Sequence, residues 1–225
     1  MQEEIKYIKK LAEKYDLQLY LTGGAVRDFI LNYKINDYDF TLNKKVEQIS
    51  LEFANEINAS HIELDSENKI YRVVKKGIYY DFSKYRDKTI KNDLLKRDFT
   101  INAMAIYYKK FHKLKKINKK EIESILIDPA NGIKDLKEGI IRAISPDIFI
   151  DDPIRLLRAG RFMGKYNFKL EKKTEKIIYK KRKLIKNCAS ERIRDELFKI
   201  FSYHNTADII EYLENNMKLL SAIFP

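Results

Sequence analysis

The apolar residues change their period partway along this chain, and that change limits the folds open to it. Within residues 17–85 several short runs carry strand signals, and polar and apolar residues alternate at 37–42. LQLYLTG at 17–23 and DYDFTL at 37–42 read as strands, and HIEL, IYRVV and IYYDFSKY read as three more. Gly77 falls between the last two, where a hairpin turns. Past about residue 145 the spacing becomes three to four, and DPIRLLRAGRFM, KKTEKIIYKKRKLI, SERIRDELFKIF and ADIIEYLENNM each read as a helix. Further helices are expected over the first 15 residues, at AVRDFILNY and at VEQISLEFANEI. One capped by Thr100 is expected through NAMAIYY, although Ala105–Tyr108 and Ile125–Ile127 also carry β-like patterns. The reading is a mixed α and β part over residues 1–145 and an all-helical part over 146–225, with a boundary near Ser145-Pro146.

Composition narrows the partners. Of 225 residues, 44% are apolar, enough for a core. Lys and Arg number 45 against 33 Asp and Glu, and the net +12 favours a polyanion, most commonly nucleic acid. Lysine-rich codon usage gives the same total, and the periodic Lys-rich stretch 172–186 reads by default as a solvated helix face. The single cysteine, Cys188, excludes an intramolecular disulfide and a cysteine zinc site. His61, His112 and His204 are scattered without ligand spacing. The first 15 residues form a charged amphipathic pattern rather than a signal peptide. No apolar run approaches the roughly 20 residues of a membrane span, so a cytoplasmic protein with no membrane association is expected.

The chemistry concentrates at Gly23-Gly24 and at Asp37-Tyr38-Asp39. Side chains alternate across a strand, so Asp37, Asp39 and Thr41 share one face and Tyr38, Phe40 and Leu42 the other. Two carboxylates about 7 Å apart on one face repel unless a cation lies between them. Magnesium prefers carboxylate and phosphate oxygens, so the pair suits two-metal phosphoryl transfer. Taken alone, two exposed aspartates on a strand edge are commoner than a metal site. The glycine turn before a helix adds weight, because its backbone N–H groups can approach a phosphate and Arg27 lies in the first helical turn. Asp81, between Tyr80 and Phe82, is a third candidate carboxylate if its strand neighbours that of Asp37. Arg97 is a candidate for meeting a triphosphate.

A second cluster runs from Asp151 to Phe162. Asp152 reads as the N-cap of a helix with Pro153 in its first position. Asp152, Arg155, Arg158 and Arg161 step by three, so each neighbours the next. This is either a solvated arginine ridge or a base reader. An aspartate accepts from an exocyclic amine and an arginine donates to ring acceptors. Such a pair therefore accepts cytosine and adenine and rejects uracil and guanine, which present a carbonyl where the amine should be.

Six segments occur in order: Gly23-Gly24-Ala25-Val26-Arg27-Asp28; Asp37-Tyr38-Asp39; Lys96-Arg97-Asp98-Phe99-Thr100-Ile101-Asn102-Ala103-Met104-Ala105; Asp128-Pro129 through Ile141-Arg142; Asp151-Asp152-Pro153 through Arg161-Phe162; and Glu191-Arg192-Ile193 with Glu196-Leu197. Together they resemble the class II tRNA nucleotidyltransferases (CCA-adding enzymes) and their bacterial poly(A) polymerase relatives. The resemblance implies an α+β, polymerase-β-like head with a small mixed sheet, followed by a helical neck. It implies an RNA nucleotidyltransferase that adds CMP or AMP from CTP or ATP to the 3′ end of tRNA, or a poly(A) polymerase acting on general RNA. Two Mg2+ ions would be held by Asp37 and Asp39. Gly23, Gly24, Arg27, Arg97 and Asn102 would contact triphosphate or sugar, with Arg158 and Arg161 nearby, and Asp152 and Arg155 would select the base. Asp151 and Lys96 stand where the family pattern often has Glu and Arg, and both keep the charge. Family members usually continue through helical body and tail domains that grip tRNA. Only head and neck are read here, so a protein partner or an oligomer is expected to stand in for the rest.

Overall fold

The computed structural model describes residues 2–85, 87–115 and 119–224, with side chains for all of these except 2 and 112–120, so His112 lies outside the described side chains. The chain forms two compact units. The first holds residues 1–95 and 102–130, the second 96–101 and 131–225. That division comes about 15 residues ahead of Ser145-Pro146. It also sends 96–101 to the second unit, because this segment pairs there: Thr100 N–H donates to the Arg142 carbonyl, Ile144 N–H to the Asp98 carbonyl, and Phe99 bridges Ala143.

In the first unit, α1 (Gln2–Lys14), β1 (Leu19–Thr22), α2 (Gly24–Ile30), β2 (Asp37–Leu42) and α3 (Val46–Glu56) come first. They are followed by β3 (Ser60–Asp65), β4 (Ile70–Lys75), β5 (Ile78–Lys84), α4 (Ile90–Leu94), β6 (Ala105–Tyr107), α5 (Lys119–Ile122) and β7 (Leu126–Ile127). The strands make one seven-stranded sheet in the order β3-β4-β5-β2-β1-β6-β7, mixed because β2 and β5 run parallel while the other neighbours are antiparallel. Two paired rings cross the parallel seam on one face: Tyr38 stacks on Tyr80 and Phe40 on Phe82. Phe53 from α3 packs edge-on against Tyr80 at 5.2 Å and leans on Phe82 at 5.5 Å. Phe40, Phe53 and Phe82 are fully buried, with Ile8 of α1 and Ile49 of α3. Burial of this aromatic layer fixes β2 in register and leaves its odd-numbered residues for the opposite face. His61 stacks on Tyr71 and shares a hydrogen bond with Ser50, a packing role.

The helix expected from Thr100 through NAMAIYY is absent, and the β-like pattern at Ala105–Tyr108 prevails. Thr100–Asn102 makes one 3-10 turn, and Ala105–Tyr107 is β6, paired with β1. The wholly buried Ala105 and Ile106 fill the sheet, so tertiary burial overrides the local helical pattern. Thr100 caps nothing; its hydroxyl donates to Asp135 at 2.7 Å.

The second unit contains α6 (Gly132–Glu138), β8 (Ile140–Ile141), α7 (Ile148–Asp151), α8 (Arg155–Tyr166), β9 (Lys169–Leu170), α9 (Lys172–Lys181), α10 (Ser190–Phe201), α11 (Thr206–Asn215) and α12 (Leu220–Ile223). Helices dominate as expected. The exception past residue 145 is β9, two residues pairing in parallel with β8. Asp135, 3% exposed, and Glu171 bracket Arg142, which donates to both, and burial of that network ties β8 to the start of α9. Phe99 meets Phe149 and Phe162 edge-on in the core. A Cβ on Gly160 of α8 would stand 2.9, 3.0 and 3.3 Å from three side-chain carbons of Leu213 on α11. Leu213 is fully buried, and a side chain in a close-packed interior shifts only at the expense of its neighbours. Gly160→Ala is therefore expected to lower the melting temperature: overpacking at about 1–3 kcal/mol outweighs the gain of up to about 1 kcal/mol in helix propensity. A thermal melt that rises on this substitution would contradict the close approach of α8 and α11. No helix among the described residues is long and apolar enough to cross a membrane.

Candidate active site

On β2 the burial alternates at its first four positions. Asp37 is exposed and Asp39 half-buried, while Tyr38 and Phe40 are buried. Asp39 lies in register with Thr22 of β1 on one side and Asp81 of β5 on the other. Paired neighbours point to the same face, so three carboxylates share it. Asp39 and Asp81 stand on strands about 4.8 Å apart. Three like charges so placed would repel, and Arg72 of β4 relieves the crowding. It sits opposite Asp81 and grips it with two hydrogen bonds of 2.7 Å, its guanidinium 4.9 Å from the centre of the Tyr79 ring. The bond to Asp81, reinforced by the charges of Asp81 and Asp37, holds the Arg72 guanidinium above its ordinary pKa. Arg72 had no signal in the sequence beyond its place in a strand. Only the register of β4 on β5 reveals its role.

Beneath the acidic pair the sheet is held by hydroxyls. Thr22 and Thr41, both buried, share a 3.1 Å hydrogen bond, and the Thr22 hydroxyl donates to the Asp39 carbonyl at 3.3 Å. β1 then ends at Gly23, whose φ of 68° and ψ of −133° suit glycine and few other residues. This turn lets α2 start at once, and Gly23 N–H donates to the Met104 carbonyl. Arg27, 5% exposed, folds back over the turn, with one guanidinium nitrogen 3.2 Å from where a Cβ on Gly24 would stand. Its Nε donates to Asp28 at 2.8 Å and its Nη1 to the Asn102 side-chain carbonyl. The first unit thus brings Gly23, Gly24, Arg27 and Asn102 into one cluster at the end of β1, the strand next to β2.

The second unit gathers the remaining candidates around α8. Arg158 donates to Asp98, with nitrogens 2.9 and 2.6 Å from the same carboxylate oxygen, and Asp98 also accepts from Phe99 N–H. Burial is the largest single influence on the Arg158 guanidinium and would depress it; the charges of Asp98, Glu196 and Asp152 and the hydrogen bond to Asp98 together outweigh it and hold the pKa above its ordinary value. Arg161 donates to buried Glu196 of α10 at 2.6 Å and lies 4.4 Å from the centre of the Phe162 ring. Arg155 donates to the Ile148 carbonyl at 3.2 Å, and burial pulls its guanidinium below the ordinary value. Asp152 is extended, with φ of −149°, and does not cap α8, whose first turn opens at Ile154 without a side-chain cap. Its carboxylate instead meets Arg192 of α10 at 3.0 Å and Arg155 at 3.9 Å. Arg97 is half-buried on the 96–101 segment. The step-by-three ridge is therefore no solvated face: each member has a specific partner. Asp98, Arg192 and Glu196 stood in the quoted segments without a role, since spacing along one helix says nothing about what another helix brings to it.

Among the described residues no group of three or more His, Cys, Asp or Glu could hold a metal ion. The donor set that fits magnesium is the pair Asp37 and Asp39, because this ion is satisfied by one or two carboxylates when waters and phosphate oxygens complete its shell.

A mixed sheet presenting an acidic pair beside a glycine–arginine turn, joined to a helical unit, is the head-and-neck fold of a nucleotidyltransferase. The family described as "Poly A polymerase head domain" matches residues 19–142, and the one described as "Probable RNA and SrmB- binding site of polymerase A" matches 167–225. The chain belongs to the poly(A) polymerase head-domain family. It is 34% identical over 175 residues, 72% of its length, to an A-adding tRNA nucleotidyltransferase from Aquifex aeolicus. To a CC-adding tRNA nucleotidyltransferase from Geobacter sulfurreducens it is 35% identical over 195 residues, 86% of its length. Among solved structures, the Thermotoga maritima CCA-adding enzyme complexed with tRNA superposes with a TM-score of 0.84 at 30% identity over 98% of this chain. These matches span only part of the relatives: 20% of the Aquifex protein, 42% of the Geobacter protein and 52% of the Thermotoga chain.

Proposed function

We propose that the chain extends the 3′ end of tRNA with CMP, AMP or both, drawn from CTP and ATP. The observation that carries this reading is the placement of Asp37 and Asp39 on one open face, one strand away from the Gly23–Arg27 turn. In the reaction the RNA 3′ hydroxyl gives up its proton to solvent and its oxygen bonds to the α-phosphorus, while the bond from the α-phosphorus to the oxygen bridging the α- and β-phosphates breaks and pyrophosphate leaves. Two magnesium ions held by Asp37 and Asp39 would supply Lewis-acid stabilisation and lower the pKa of the attacking hydroxyl, while Asp81, the third candidate of the sequence, has both its oxygens engaged by Arg72.

The protein's own groups do the rest. Gly23 and Gly24 expose backbone to the triphosphate, and Arg27, braced by Asp28 and Asn102, offers it a preorganised charge. Arg97, Arg158 and Arg161 are assigned to phosphates or sugar. Asp152 and Arg155 are assigned to the base. Arg192 and Arg155 hold the carboxylate in place, so one of its lone pairs is available to an exocyclic amine without a cost in rotamer freedom. We place the catalytic head in residues 1–145 and the base-selecting neck in 146–225. Domains beyond the neck, a partner chain or a second copy would supply further grip on the RNA.

Incubating the protein with a tRNA transcript that ends before CCA, given CTP alone, ATP alone or both, tests the reading. One to three added nucleotides are expected. The family description favours one alternative, a poly(A) polymerase acting on general RNA 3′ ends. Long A-tails on unstructured RNA, with no use of CTP, would establish that alternative instead. Asp152→Ala is expected to blur the choice among C, A, U and G by roughly tenfold or more while slowing addition less, since the readout of the base edge is lost. Competition among the four triphosphates measures it, and unchanged preference would remove Asp152 from this role.

A further inference from the structure

Asp39, Asp81, Arg72 and Ile62 lie side by side on β2, β5, β4 and β3, so one row of side chains crosses four strands on the face that carries the acidic pair. By register alone Asp81 stands next to Asp39 and is placed to complete a metal triad. Its carboxylate is committed on the other side instead. The Arg72 guanidinium donates to both of its oxygens at 2.7 Å, a planar fork matched to a carboxylate. Among the described residues no three acidic groups converge where an ion could sit.

Two features hold the fork in place. The Tyr79 ring, its centre 4.9 Å from the guanidinium, supports it on one side. Beyond Arg72 the row ends at Ile62, so no second carboxylate of the row competes for the guanidinium. Stability of the fold does not account for the arrangement. Both side chains are half-buried, and an ion pair so exposed adds little.

The number of carboxylates sets how tightly a divalent ion is held. Two grip magnesium firmly only when phosphate oxygens complete its shell, so the ion comes and goes with the nucleotide and the pyrophosphate. Three would retain it in the empty site. We propose that Arg72 is a positioning residue: by occupying both oxygens of Asp81 it withholds a third ligand, and the metal site stays weak until a triphosphate arrives. This role rests on the assignment of the metals to Asp37 and Asp39 above and adds the residue that sets their affinity.

Mn2+ binding without nucleotide, followed by electron paramagnetic resonance, tests it in four proteins: wild type, Arg72→Gln, Arg72→Lys and the double variant Arg72→Gln, Asp81→Asn. Arg72→Gln frees Asp81 and should bind Mn2+ at least about tenfold more tightly than wild type. Arg72→Lys keeps the charge without the fork and should show a smaller gain in the same direction. The double variant has the net charge of wild type and no third carboxylate, so it should match wild type within about threefold.

An Arg72→Gln protein that binds no more tightly than wild type would overturn the assignment. So would a gain in Arg72→Gln with none in Arg72→Lys, which traces the effect to charge alone. A double variant about tenfold weaker than wild type would show that Asp81 already serves as a ligand beside Arg72, and one about tenfold tighter would show that the gain does not come from Asp81. Either result overturns the proposal and leaves the acidic pair standing. A wild-type protein that binds no Mn2+ even with ATP present would instead remove the metal reading, and the role of Arg72 with it.

Discussion

Asp39→Ala should abolish nucleotide incorporation, by about a thousandfold or more, with the fold intact. A thousandfold loss corresponds to about 4 kcal/mol of transition-state stabilisation, within what a metal ion contributes to phosphoryl transfer. The fold should survive because the Asp39 side chain lies on the half-buried polar face, while the layer that holds β2 in place (Tyr38, Phe40 and their partners Tyr80 and Phe82) is on the other. Removing one of three crowded carboxylates also relieves repulsion, so the melting temperature should hold or rise. Single-turnover extension and a thermal melt check the two halves. Extension at the normal rate by this variant would show that the acidic pair is not the metal site.

Asp98→Ala should give the largest loss of stability. Asp98 is 5% exposed, accepts Phe99 N–H at 2.8 Å and carries the charge that balances Arg158. Truncation strands the arginine and an amide donor together. Breaking a buried pair costs about 3–5 kcal/mol, and because Arg158 keeps a third of its side chain in water the expected loss is about 2–3 kcal/mol. That corresponds to a fall in melting temperature of about 5–10 °C. Asp98→Asn keeps the acceptor for Phe99 and should fall roughly half as far. A melt within about 1 °C of wild type for Asp98→Ala would mean that the pair contributes little and that Arg158 is positioned by something else.

Much of the fold could be read because burial and periodicity agreed. Residues 37–42 alternate in sequence, and β2 covers those six residues. The periodic stretch 190–201 became α10 over the same span. Reading failed where a distant segment decides the conformation. NAMAIYY carries both a helical and a β-like pattern that local sequence alone does not resolve; Ala105 and Ile106 complete the sheet beside β1, a partner some 85 residues earlier. The detour of 96–101 into the second unit could not be read, since its hydrogen bonds to 142–144 leave no trace in local pattern.

The site divided along the same line. The acidic pair and the glycine turn lie within 17 residues, and strand alternation alone puts both aspartates on one face. The groups that position them come from elsewhere in the chain. Arg72 reaches Asp81 through strand pairing, Asn102 reaches Arg27 across 75 residues, and Glu196 reaches Arg161 from another helix. Asp152 as a helix cap was the natural reading of Asp-Pro before a helix. The structure turns that carboxylate toward Arg192 instead, an orientation that only the packing of α10 against α8 supplies.

Binding of Mn2+, a magnesium substitute visible by electron paramagnetic resonance, tests the central claim most directly. It should be titrated into wild type, Asp37→Asn and Asp39→Asn, each with and without ATP. Wild type should bind the ion more tightly when ATP is present, since phosphate oxygens complete a shell begun by two carboxylates. Each asparagine variant should lose at least about tenfold in that affinity while melting as wild type does. Equal Mn2+ affinity in all three proteins, or no change on adding ATP, would contradict a metal site built on Asp37 and Asp39.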